Sequence, residues 1–272
     1  MDLLEVKNLS CGYGKEDILK GISFSVADKE FLGIIGPNGA GKTTLFRALT
    51  GILKPRNGEV LYKNRMLSEV PRKEIAREIA VLPQSLEVPF SFTVEEFIAM
   101  GRFPYRQSMW PFTQEDKKAI ERAMELAGVQ KLKERMVNQL SGGERQRVFF
   151  AQAIAQEPKL MLLDEPTTHL DIKYQMEIME LIDDLNKNGI TIIVILHDLN
   201  MAAEYCKRII LLKDGKIHAD GTPDQVVDYK IIEDAYNTVV IVKENPISKK
   251  PYIVLVSKNS LDKKTIRVEG NP

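Results

Sequence analysis

The strongest constraint on this chain is a run of eight residues. Gly36-Pro37-Asn38-Gly39-Ala40-Gly41-Lys42-Thr43, followed by Thr44, fits the spacing G-x-x-x-x-G-K-[ST] and comes directly after an apolar run, Phe31 to Ile35. A strand entering a glycine-rich loop that opens a helix suits one task. Its backbone N–H groups curl around an anion and the first helical turn adds partial positive charge. Lys42 is spaced to reach outer phosphates, and the Thr43 hydroxyl to ligate Mg²⁺. The spacing alone would turn up by chance in a chain this long on the order of once in a hundred. The preceding strand, and a following helix that Gly51 can end, make chance less credible still. A nucleotide phosphate site in an α/β fold is the expectation.

Other apolar runs extend that fold. Ile79–Leu82, Leu160–Leu163, Ile190–Leu196 and Ile209–Leu212 read as buried strands alternating with helical patterns, which implies parallel strands at the centre. Asn57-Gly58 before Glu59-Val60-Leu61-Tyr62 reads as a hairpin turn, suggesting an antiparallel flap. Between Ser91 and Pro158 the strand signal vanishes, and Thr93/Glu96 and Thr113/Asp116 look like helix caps. Asp171 to Gly189 predicts a helix with Ile172, Met176, Met179, Ile182 and Leu185 as its apolar stripe. Lysine plus arginine (38) balances aspartate plus glutamate (38), so no global field draws nucleic acid. Cys11 and Cys206 show no disulfide or zinc pattern. No signal peptide and no apolar run of membrane-spanning length is expected, which favours a soluble cytoplasmic chain.

Leu140-Ser141-Gly142-Gly143-Glu144 contains a capping box, Ser141 with Glu144, at the start of a helix Arg145–Gln156. The box leaves the glycines unexplained, because each costs up to ~1 kcal/mol in a helical turn relative to alanine. Bare backbone there would suit a group that must approach closely. With Arg145-Gln146-Arg147 the stretch resembles the signature motif of the ABC ATPase family, just upstream of a strand ending in Asp164-Glu165-Pro166. The resemblance covers about residues 2–222. It implies a P-loop NTPase fold with a mixed, mainly parallel core sheet, an antiparallel β-subdomain and a helical subdomain inserted at about 91–158. Beyond the resemblance, residues 223–272 are expected to form an extension, with Pro223 opening a short helix and Val239–Val242 pairing with Tyr252–Val256 across Pro246.

The resemblance also implies roles. Asp164 holds Mg²⁺ through water, with Thr43 and Gln84. Glu165 polarises the water that attacks the γ-phosphate. His197, at the end of an apolar run, hydrogen-bonds that phosphate; a structural strand-end histidine is the alternative. Ser141, Gly142, Gly143 and Glu144 of one copy complete the ATP site of another in a head-to-tail homodimer. Asp171 acts across that dimer as well as capping its helix. Tyr13, in Cys11-Gly12-Tyr13-Gly14, stacks on adenine unless it is an ordinary turn tyrosine.

Three stretches further resemble the subgroup serving uptake of iron–siderophore, haem and cobalamin chelates: Phe92–Tyr105, Glu165–Ile172 and Leu196–Ala203. Two copies of a multi-spanning permease and, indirectly, an extracytoplasmic binding protein are the implied partners, at the cytoplasmic face of the membrane. A zinc/manganese-type importer or a non-transport ATPase is the alternative. Tyr105, Arg106, Trp110 and Phe112, with the Gln84 loop, are expected to form the permease-docking surface.

Overall fold

The computed structural model describes residues 2–84, 91–105 and 112–257. Its elements run β1 (Asp2–Cys11), β2 (Leu19–Ala27), β3 (Phe31–Ile35), α1 (Lys42–Leu49), β4 (Asn57–Tyr62), β5 (Arg65–Met66), α2 (Arg72–Glu78) and β6 (Ile79–Leu82). Helices α3 (Val94–Ala99), α4 (Gln114–Leu126) and α5 (Gly142–Ala155) follow, then β7 (Leu160–Asp164), α6 (Ile172–Lys187), β8 (Thr191–Ile195) and α7 (Leu199–Tyr205). The chain continues with β9 (Arg208–Lys213), β10 (Lys216–Gly221), α8 (Pro223–Val226), α9 (Tyr229–Tyr236), β11 (Val240–Glu244) and β12 (Pro251–Leu255).

A six-stranded sheet in the order β10-β9-β3-β8-β7-β6 forms the middle layer, parallel except for β10. Strands β3, β7 and β8 are buried along their whole length, as strands covered on both faces must be. Their side chains alternate between two cores. Phe31, Ile35, Met161, Leu163, Ile192 and Val194 face the helices, while Leu32, Ile34, Leu160, Leu162, Ile193 and Ile195 face α1 and the antiparallel sheet β2-β1-β4-β5. Each such side chain fully buried contributes about 1.5–3 kcal/mol. Residues after Gly221 join the helical-side core through Val226, Val227, Ile232, Ala235, Val240 and Ile253.

Two expectations are corrected. Asn57-Gly58 is not the hairpin turn: the chain reverses at Lys63-Asn64, both with positive φ (50° and 61°), between the paired residues Tyr62 and Arg65. Gly58 instead serves a bulge where β4 crosses β1; a Cβ there would lie 2.2 Å from the Lys7 carbonyl oxygen. In α6 the buried stripe is Ile178, Met179, Ile182 and Leu185. Ile172 is 78% and Met176 42% exposed, because the helix begins beyond the packed part of the core.

Both predicted caps close as reciprocal boxes, Thr93 with Glu96 and Thr113 with Asp116. Arg102 is buried and ties this helical region to the end of α5, donating to Asp116 (3.0 Å), the Ala155 carbonyl (2.8 Å) and Glu157 (2.7 Å). On the expected docking surface, Arg106 and Trp110 lie outside the described residues. Tyr105 is tied inward by a hydrogen bond to the Gln156 carbonyl (2.8 Å), and Phe112 packs against the core.

Candidate functional site

Four neighbouring strands, β3, β8, β7 and β6, end on the same edge of the sheet. From these ends the chain delivers, in spatial order, the 36–43 loop, His197, the Asp164-Glu165 pair and Gln84. Residues far apart in sequence are thus gathered at the C-terminal edge, where open α/β sheets bind ligands.

The loop is built around an uncapped helix. Gly41 holds the N-cap position of α1 at φ 102°, a conformation other residues rarely adopt, and no side chain caps the helix, whereas α3, α4 and α5 each carry a full box. The first N–H groups of α1 therefore lack a side-chain cap. The loop is braced from outside by the Gly215 amide, which donates to the Ala40 carbonyl (3.2 Å). Lys42 is buried, its ammonium donating to the carbonyls of Gly36 (2.7 Å) and Pro37 (3.1 Å). Burial lowers its pKa, against the opposing pull of Glu165 and Asp164. Thr44 is buried and Thr43 exposed.

Glu165 is the hub of the opposite wall. Gln84 Nε2 donates to its Oε2 at 2.5 Å, His197 Nε2 meets its Oε1, and the Thr168 hydroxyl lies 3.3 Å from Oε2. Its backbone sits at φ 51°, a conformation costing about 1–3 kcal/mol for such a residue. A hydrogen bond from its N–H to the Ile195 carbonyl (3.1 Å) holds it there. Gln84, Glu165 and His197 were expected here. Thr168 was not, and no sequence signal marked its contact with Glu165.

Asp164, 4% exposed, has an Oδ1 that finds no hydrogen-bond partner. Its pKa is pushed up to about 6, by burial first and by the Glu165 charge second. A buried carboxylate oxygen left open suits a hard cation. Among the described residues no cluster of three His, Cys, Asp or Glu could hold a metal unaided. Mg²⁺ in a nucleotide site takes one or two protein ligands alongside phosphates and waters, and the open Asp164 oxygen has the chemistry of one such ligand. Because the folded pKa lies above the ordinary ~3.9, ionisation of Asp164 costs stability as pH rises through the interval up to about 6. Asp164→Asn is therefore expected to raise the stability of the nucleotide-free chain by about 3 kcal/mol above pH ~6, with the gain vanishing below pH ~4. Denaturant melts at the two pH values test this.

The remaining expected residues make contacts of their own. Ser141 and Glu144 bond reciprocally, so the box closes on itself. Gly142 is exposed. Gly143 is covered by this chain's own Tyr174, whose ring would lie 2.4 Å from a Cβ. One of the two glycines thus has an internal reason. Asp171 caps α6 by accepting from the Tyr174 N–H (3.0 Å). Tyr13 is partly exposed, its hydroxyl accepting from Arg47 (2.8 Å), a basic residue in the last turn of α1 not singled out by the sequence.

The family profile described as "ABC transporter" matches residues 19–168. This chain belongs to the ABC transporter ATP-binding family. It is 38% identical over 252 residues to the "Ferric enterobactin transport ATP-binding protein FepC" of Escherichia coli (strain K12), covering 92% of this chain and 93% of that protein. To the "Hemin import ATP-binding protein HmuV" of Pseudomonas aeruginosa it is 39% identical, covering 93% and 99%. Among solved structures, "An inward-facing conformation of a putative metal-chelate type ABC transporter" superposes with TM-score 0.83 at 25% identity, covering 95% and 99%. "Dimeric Structure of MJ0796, a Bacterial ABC Transporter Cassette" gives 0.71 at 32%, covering 80% and 98%. As an ABC ATPase the chain binds and hydrolyses ATP. Among the described residues no helix is long and apolar enough to cross a membrane.

Proposed function

We propose that this ABC ATPase works as a homodimer on the cytoplasmic face of the membrane, energising two copies of a permease that imports an iron(III)–siderophore, haem or cobalamin-type chelate. The convergence of Gln84 and His197 on Glu165, beside the unpartnered Asp164 oxygen and facing the phosphate loop, carries the mechanistic reading. The cargo is supported by the relatives above, which serve ferric enterobactin transport and hemin import.

In this reading the amides from Gly36 to Thr44, with Pro37, Asn38, Gly39 and Ala40 shaping the turn, grip the triphosphate, and Lys42 turns to its outer oxygens. Thr43, Asp164 and Gln84 hold Mg²⁺, which when bound supplies charge neutralisation at the phosphates. Glu165 accepts a hydrogen bond from the attacking water and draws off its proton. His197 bonds the γ-phosphate and, with Gln84, orients the Glu165 carboxylate. Tyr13 stacks on adenine. Ser141, Gly142, Gly143, Glu144 and Asp171 of the second copy close over the nucleotide. An extracytoplasmic binding protein delivers the chelate to the permease, and nucleic acid has no part.

Cells lacking the chain are expected to lose energy-dependent uptake of a radiolabelled ferric siderophore, haem or cobalamin. Uptake should return with the wild-type chain but not with Glu165→Gln. Undiminished uptake of all three, with loss of zinc or manganese uptake instead, would overturn the cargo assignment.

A further inference from the structure

We propose that Asn200 is a positioning residue for hydrolysis, anchoring the C-terminal hairpin to the helix behind His197 and so fixing the histidine against Glu165. The proposal rests on the reading of His197 given above. Helix α7 starts two residues after His197 and spans only seven residues, too short to hold its own place without tertiary contacts. Asp198 caps it, accepting from the Asn200 (2.8 Å) and Met201 (3.0 Å) amides.

The side-chain amide of Asn200 is then used at both ends by a single residue of β12. Its Oδ1 accepts from the Ile253 N–H at 2.7 Å and its Nδ2 donates to the Ile253 carbonyl at 3.2 Å. One turn on, Glu204 is gripped by the loop joining β11 and β12. Its carboxylate accepts from the Ser248 hydroxyl (2.7 Å) and Asn245 Nδ2 (3.5 Å), while Lys250 Nζ donates to its carbonyl. Burying Ile253 would need only apolar contacts. A two-point polar bracket adds direction, setting both the height and the rotation of α7, and hence of the His197 turn. The same segment reaches the strand beside the phosphate loop, where Lys213 at the end of β9, paired with β3, bonds the Asp234 carboxylate (2.6 Å). Residues after Gly221 thus touch the supports of both walls of the site.

Steady-state ATP hydrolysis with Mg²⁺ is to be compared for the full chain, Asn200→Ala, His197→Ala and the double variant. Asn200→Ala is expected to lower kcat about tenfold with KM for ATP changed less than about twofold, since a small misplacement is felt mainly in the reacting geometry. In the His197→Ala background the same change should cost less than about twofold, because both act through one group. A kcat for Asn200→Ala within about twofold of wild type overturns the proposal, as does a full loss persisting in the double variant. If Asn200→Ala does not fold, Asn200→Asp, which keeps the acceptor for the Ile253 N–H, is expected to show an intermediate loss of about threefold and wild-type kcat overturns the proposal. A wild-type rate for His197→Ala alone removes the premise and is read separately from any Asn200 variant.

Discussion

Glu165→Gln is expected to lower ATP hydrolysis by about a thousandfold, within the range general base catalysis usually supplies, while ATP still binds. The substituted amide is nearly isosteric and keeps one acceptor oxygen, so the positive-φ backbone and the Ile195 contact persist. What disappears is the charge that draws a proton from water. With the phosphate contacts intact and the reaction stalled, the variant should accumulate as an ATP-bound dimer, measurable by size-exclusion chromatography. Hydrolysis near the wild-type rate would assign Glu165 another task.

Lys42→Ala is expected to weaken ATP binding by at least about a hundredfold, the equivalent of ~2.8 kcal/mol, as the loss of a charge-assisted contact to phosphate requires. Unfolding is not the cause to expect. Burial lowers the Lys42 pKa in spite of the carboxylates nearby, so the folded chain bears a desolvation cost that alanine removes. Fluorescent nucleotide titration beside a thermal melt separates the two. Unchanged affinity would contradict the grip assigned to the loop.

The central strands were legible because β3, β6, β7, β8 and β9 are short apolar runs, and full burial leaves that mark. Strands β1 and β2 were not, since each mixes exposed with buried positions and breaks register at bulges. The Asn57-Gly58 error has the same root: a glycine that tolerates positive φ serves a bulge as well as a turn, and sequence does not say which backbone lies across from it. Similarly, the apolar period of α6 continues past the point where the core stops, so Ile172 and Met176 read as buried.

For the site, Lys42 was legible from the spacing of its glycine-rich loop, and Asp164, Glu165 and His197 stood at strand ends but took their roles from the family resemblance. Gln84 needed the family resemblance, for its bond spans 81 residues of chain. Asn200 lies inside the Leu196–Ala203 stretch, whose resemblance says nothing of its own role. Its bracket on Ile253 depends on where β12 docks, which periodicity cannot reveal.

Tyr174 occupies the space beside Gly143 where any larger residue would carry its side chain, and Gln146 in the next turn bonds the Pro166 carbonyl (2.9 Å). The opening turns of α5 and α6 therefore meet directly, Gly143 against the Tyr174 ring. Tyr174 thereby joins the two signature-side turns, covering Gly143 with its ring while its N–H donates to Asp171, so enlarging Gly143 would displace the residue that Asp171 caps.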